Sequence, residues 1–178
     1  GVLLGSGEAS MMLEALHTAT KETVTLSMQN GLQMEFVRVI VGKFPIALQM
    51  KEGDQVPLFG TAVGTAALST KEDKIVHELY ERAALIHDGN HSPLALKDVM
   101  REVKLARERG YAIVYEGILP DSGAIACPIY LSGREHTLII AAGGPTQRIT
   151  QSESAMASEL FRLQNQHRWR EKNLNRVS

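Results

Sequence analysis

The residues of this chain that could do chemistry are few and scattered. The single cysteine, Cys127, lies within Ala124-Ile125-Ala126-Cys127-Pro128-Ile129. A thiol in apolar surroundings has its pKa raised and acts as packing rather than as a nucleophile. Six histidines are present: His17, His77, His87, His91, His136 and His167. His87, Asp88 and His91 come nearest to metal-ligand spacing, but they fall in a turn-rich stretch and match no zinc pattern. A solvated loop is the better reading there, and His17 and His77 read as helix-surface residues. Gly5-Ser6-Gly7 lacks the strand-to-helix context of a nucleophile elbow. No phosphate-binding Gly-x4-Gly-Lys loop occurs. Gly143-Gly144-Pro145 reads as a strand end followed by a structural turn. Glu116 and Asp121 could pair as acid–base carboxylates, yet nothing selects them from twenty acidic residues. The expectation is a binding protein with no catalytic residue, no metal and no cofactor.

Bulk properties narrow the partners. The 178 residues suffice for one domain with a single core, and 44% apolar with 22% charged residues is ordinary for a soluble globular chain. A formal net charge of -1 argues against a dedicated nucleic-acid surface. The basic stretches 101–109 and 168–172 carry interleaved acids or lie on helical patterns, and they read as solvated helix faces. A lone cysteine fits a reducing cytoplasm. No stretch approaches the ~20 apolar residues of a membrane span. The chain opens on Gly1 without an initiator Met, which suggests an excised domain.

Periodicity then places the elements. A helix is expected over about 6–20, with Met12, Leu13 and Leu16 at helical spacing. Val24, Leu26 and Met28 alternate with Thr23, Thr25 and Ser27, the pattern of a half-buried strand. Asn30-Gly31 is a strong hairpin signal, and a return strand should run over about 32–41. A third strand is expected over 44–50, with Pro45 marking an edge or irregular start. After a polar turn and Val56-Pro57-Leu58-Phe59, the small residues of 60–69 would let a helix approach another backbone closely. Ser69 and Glu72 form a capping-box pattern ahead of a helix whose apolar face is Ile75, Leu79 and Ala83. Ser92-Pro93 starts another helix, which presents Leu96, Val99 and Val103 and ends at Gly110. Strands over about 111–116, 124–131 and 136–142 follow, the last two joined by a turn at Ser132-Gly133. A final helix from about 152 to 169 should turn Met156, Leu160 and Leu163 inward. The sum is an α+β fold: about six strands, mostly antiparallel, with helices packed against the sheet.

Several segments together resemble one family. Val56-Pro57-Leu58-Phe59-Gly60-Thr61-Ala62-Val63-Gly64-Thr65-Ala66-Ala67-Leu68 is similar to the proline- and glycine-containing helix entry of IclR-type transcriptional regulators. Arg109-Gly110-Tyr111-Ala112 is followed at the family's distance by Ala126-Cys127-Pro128-Ile129. Ala141-Ala142-Gly143-Gly144-Pro145 with Arg148-Ile149 resembles the family's Gly-Pro-x-x-Arg segment. Lys21-Glu22-Thr23 stands where the family has Gly-Glu-Thr. The resemblance covers nearly the whole chain in the right order. It implies a single GAF-like effector-binding domain over 1–178, with the family's winged helix-turn-helix preceding Gly1 and absent from this chain. It further implies a dimer or tetramer, DNA contacts made only through that absent part, and a small-molecule effector in the class of organic acids or aromatic-catabolism intermediates.

Carried over without gaps from members that bind small keto acids, the pocket positions are Val56, Ala62, Val63, Val114, Ala124, Ala141 and Gly143. Several of these carry Asp, Cys or Ser in those members, whereas here Val114, Ala124, Ala141 and Gly143 offer no side-chain hydrogen bond. Thr65 replaces the family's usual lysine. Backbone N–H groups near Thr61, Ala62 and Val63 could hold a carboxylate. The expected effector is therefore larger or more apolar than glyoxylate, such as an aromatic or acyl acid. Two other readings stay open: a GAF-like signalling module or small enzyme outside transcription, and a domain whose pocket is filled by its own side chains.

Overall fold

The computed structural model describes residues 7–86, 94–131 and 137–177, with side chains described as far as residue 165. The elements run α1 (Glu8–Thr20), β1 (Thr23–Asn30), β2 (Gln33–Ile40), β3 (Gln55–Pro57), α2 (Ala62–Leu68), α3 (Asp73–Ile86), α4 (Leu96–Arg109), β4 (Ala112–Tyr115), β5 (Ser122–Ile129), β6 (Leu138–Pro145) and α5 (Thr146–Val177). The six strands form one sheet in the order β3-β2-β1-β6-β5-β4, and every neighbouring pair is antiparallel. The expected α+β class and the order of elements are both present. Gly31 takes φ 63 at the β1–β2 turn, as the Asn-Gly signal requires.

The sheet divides two apolar cores. Leu13, Leu16, Leu26, Ile125, Ile140 and Leu160 pack between the sheet and α1 with α5. Met34, Phe36, Ala66, Val103, Ala126 and Ile139 pack between the other face and α2 with α4. Because β1 and β6 sit at the centre, they are covered on both sides. Strand β1 is thus not half-buried, as its alternation suggests: Thr23, Thr25 and Ser27 are as buried as Val24 and Leu26. Alternation normally marks a solvated face, but here both faces carry helices.

Other departures have local causes. Residues 44–50 are not a strand, and the third strand is the short β3. Pro45 removes a ladder donor, and the carbonyls of this stretch are taken by side chains. Arg148 donates to Ile46 O at 2.8 Å and Thr23 to Leu48 O at 2.8 Å. The Ser69–Glu72 capping box does not form. The Ser69 hydroxyl donates to Ala66 O at 2.6 Å, closing α2 instead of opening α3. The buried stripe of α3 is Val76 and Leu79, and Ile75 is exposed. Helix α5 begins at Thr146 directly after β6, so Gly143 and Gly144 are strand residues and no loop intervenes. Gly110 ends α4 as expected, at φ 90 with its N–H on Ala106 O. Met156, Leu160 and Leu163 are buried as expected. Ser92-Pro93, Ser132-Gly133, His136 and the group His87, Asp88 and His91 lie outside the described residues.

Gly144 has a specific reason to be glycine. A Cβ there would fall 2.0 Å from Glu22 Oε2. The Glu22 side chain is 2% exposed and pairs with Arg148, Nε to Oε1 at 2.5 Å and a second guanidinium nitrogen to Oε2 at 3.1 Å. A buried carboxylate stripped of its cation is costly. Arg148→Ala is expected to lose about 3–5 kcal/mol in urea denaturation, and Glu22→Gln, which removes the charge itself, is expected to lose less. Equal small losses would show that the pair carries little.

Cys127 is buried among the α1 and α5 side chains, and burial pushes its thiol from the ordinary 9.0 up to about 12. The unfolded chain therefore ionises first. This group's contribution is fully present below pH 9.0 and is lost as pH rises toward about 12, at roughly 1.4 kcal/mol per pH unit. Denaturant midpoints measured at pH 8 and pH 10 are expected to fall further for the natural chain than for Cys127→Ala.

Candidate functional site

The ladder register assembles the residues that the sequence singles out. Val114 lies opposite Ala124 on the β4–β5 ladder. Ala124 lies opposite Gly143, and Ala126 opposite Ala141, between β5 and β6. On the far side of β6, Gly143 faces Thr23 and Ala141 faces Thr25. Directly opposed residues share a face, so these make two adjacent rungs of small side chains. Val56, Ala62, Val63, Val114, Ala124 and Ala141 all belong to the α2-side core.

Helix α2 lies over this face because its entry is fixed from several directions. Thr61, wholly buried, accepts the Gly64 N–H on its hydroxyl at 3.1 Å and donates to Pro57 O at 2.7 Å. This is an ordinary N-cap. A Cβ on Gly64 would fall 1.8 Å from Leu58 O, so α2 can rest on the Leu58 backbone only with glycine there. Gly117 in the β4–β5 turn is also held close, since a Cβ there would fall 2.5 Å from Gly60 O.

The segment 41–54 forms a strap that passes the Thr23–Gly143 rung. His17 Nε2 bonds Val41 O at 3.0 Å, so His17 is buried and employed, not the surface residue its position suggests. Thr23 Oγ1 accepts the Gly42 N–H at 2.9 Å while donating to Leu48 O. The Arg148 guanidinium stacks 4.0 Å from the centre of the Phe44 ring. Held this way, Leu48 reaches the floor: a Cβ on Gly143 would lie 2.9 Å from Leu48 Cδ1. Met50 packs on the same core. The strap and the β1 hydroxyls escaped the sequence reading, and the alternation of Thr23, Thr25 and Ser27 was the available signal.

The catalytic candidates are not assembled. Glu116 and Asp121 are exposed turn residues with φ 58 and 57. The Asp121 N–H reaches Glu116 Oε1 at 3.4 Å, as turn chemistry rather than as an acid–base pair. Cys127 is on the opposite core. Among the described residues no group of three or more His, Cys, Asp or Glu could hold a metal ion. Two arginines of α4 are paired with acids: Arg101 with Asp98 of the same helix at 3.0 Å, and Arg107 with Asp73 of α3 at 2.6 Å. A cleft of about 610 Å³ opens between α2, α4 and β4, lined by Phe59, Thr65, Leu94, Val99 and Tyr115. It shares Val114 with the carried-over positions and none of the others. No helix among the described residues is long and apolar enough to cross a membrane.

Comparison with known proteins agrees with this geometry. Residues 6–166 match the family model "Bacterial transcriptional regulator IclR C-terminal". The chain is similar to the HTH-type transcriptional regulator KipR of Bacillus subtilis, 23% identical over 151 residues, covering 85% of this chain and 60% of that protein. It is also similar to the HTH-type transcriptional repressor AllR of Escherichia coli, 21% identical over 154 residues, covering 86% of this chain and 57% of that one. The chain thus spans less than two thirds of these regulators. Among solved structures, the effector domain of a transcriptional regulator, IclR, from Acinetobacter sp. ADP1 superposes with a TM-score of 0.83 at 22% identity, covering 93% of this chain and 96% of that one. These relatives are regulators of transcription rather than enzymes, and the chain belongs to their family as an IclR-type C-terminal effector domain.

Proposed function

We propose that this domain binds a small, largely apolar organic acid on the α2 side of the sheet, and that binding alters the DNA affinity of a longer, cytoplasmic, oligomeric regulator. DNA would be met through a winged helix-turn-helix outside this chain, and the assembly would be a dimer or tetramer. The observation that carries the ligand reading is the floor made of Val114, Ala124, Ala141 and Gly143, which share one face by register and bring no side-chain donor. Ligand sites are mainly apolar with a few directing groups. The carboxylate would sit at the α2 entry, against backbone N–H groups at Thr61, Ala62 and Val63, since Thr61 itself already takes the Gly64 N–H. Val56 would close the β3 side. A ligand with unequal affinity for two states shifts their balance, and that difference is the proposed switch.

Leu48, lying on Gly143, favours a second reading in which the pocket is self-filled and the domain serves association alone. A thermal-shift series from glyoxylate and pyruvate through benzoate to medium-chain acids separates the two, because a ligand that binds only the folded state raises Tm. The expected result is a dose-dependent rise with the apolar acids and none with glyoxylate or pyruvate. Tight binding of either keto acid would contradict the apolar assignment. A response seen in Leu48→Ala and absent from the natural chain would favour the self-filled pocket.

A further inference from the structure

Helix α2 and its two caps carry three hydroxyls, and two of them serve the fold. Thr61 takes the Gly64 N–H and donates to Pro57 O, and Ser69 donates to Ala66 O. Thr65 differs. It is only 6% exposed, and none of the hydrogen bonds among the described residues uses its hydroxyl. Its side chain instead lines the cleft between α2, α4 and β4. A hydroxyl can both donate and accept, so the cleft holds at its base a hydrogen-bonding group that the fold leaves unused.

The rest of the cleft is apolar inside and acidic at its mouth. Leu68 and Val99, both buried, lie at the base with Thr65. One wall is the run from Ile113 to Gly117. Successive strand residues point to opposite faces, and Ile113 and Val114 do pack on opposite cores. A wall of consecutive residues is therefore the edge of β4. That strand ends the sheet, and an edge strand leaves backbone N–H and C=O groups unpaired. Phe59 and Tyr115 add aromatic rings, and Phe59 is set edge-on against Tyr80 with ring centres 5.9 Å apart. At the mouth, Asp98, Glu102 and Glu116 face Arg101 alone. Arg101 is divided between Asp98 at 3.0 Å and Glu102 at 3.9 Å. Glu116 Oε1 meets only the Asp121 N–H, at 3.4 Å, among the described residues. Clefts lined by one sign of charge concentrate its field, and a volume of about 610 Å³ suits a small molecule.

We infer that this cleft is a second ligand site and that it takes an organic cation, a flat and largely apolar body carrying an ammonium group. The body lies among Phe59, Val99 and Tyr115 with a neutral polar atom on the Thr65 hydroxyl, and the ammonium lies at the mouth with Glu102 and Glu116. The cleft shares only Val114 with the effector positions and favours the opposite charge, so the inference stands apart from the effector reading above.

Calorimetric titration of the 178-residue chain with tryptamine and tryptophol tests this, because the two share an indole ring and differ by an ammonium against a hydroxyl. Tryptamine is expected to bind about fivefold more tightly at low ionic strength, and the difference should shrink as salt is added. Glu102→Gln combined with Glu116→Gln should bring tryptamine to the level of tryptophol and leave tryptophol within about twofold. Thr65→Val should weaken both by about three- to tenfold. It should not lower the Tm of the unliganded domain, because no bond of the fold is lost. Saturating octanoate should leave the affinity for tryptamine within about twofold. Absence of tryptamine binding, equal binding of amine and alcohol, indifference to Thr65→Val, a Tm lowered by that change, or displacement by octanoate would each overturn the inference.

Discussion

The Glu22–Arg148 ion pair holds together parts of the chain that sequence distance keeps apart. Glu22 precedes β1 and Arg148 lies in the first turn of α5, 126 positions further along the chain. The carboxylate is buried over the backbone of Gly144, so the pair fixes the place where β6 passes into α5. The same guanidinium holds the strap through Ile46 O and the Phe44 ring. One cation thus neutralises a buried charge, satisfies a carbonyl and stacks on an aromatic ring. Glycine at 144 is a consequence of the carboxylate, and the strap's course over Gly143 is a consequence of the arginine.

That arrangement makes the two faces of the sheet unequal. The α1 and α5 side is filled by large residues such as Leu13, Leu16, Ile125 and Ile140. The α2 side has alanine and glycine on β5 and β6, where Ala126 faces Ala141, and Ala141 and Gly143 face Thr25 and Thr23. Small side chains on the floor, a short helix of small residues above, and a tethered strap at the margin suit a binding site better than a catalytic one. The reactive groups of the chain lie elsewhere: the thiol in the opposite core with its pKa raised, and the carboxylates of Glu116 and Asp121 in an exposed turn.

Much of this was legible from residue patterns. Hairpin turns, helix stops and apolar spacing located the elements, and the run from Val56 to Leu68 with the Gly-Gly-Pro segment identified the family. What patterns missed was tertiary. Residues 44–50 have strand-like composition, but their carbonyls bond Arg148 and Thr23, which no local rule sees. Thr23, Thr25 and Ser27 look solvent-facing until β1 is known to be central. Ser69 looks like a cap for the following helix but closes the preceding one. His17 looks like a helix-surface residue until the strap arrives above it. In each case the deciding partner is distant in sequence.

The most direct test of the central claim is methyl NMR of alanine-labelled protein titrated with octanoate. The α2 side carries Ala62, Ala66, Ala124, Ala126 and Ala141, and the α1 and α5 side carries Ala9, Ala142 and Ala157, so the two faces report separately. The account predicts saturable shifts confined to the first group. Shifts confined to the second group, or none in either, would contradict the placement of a ligand site on the α2 face.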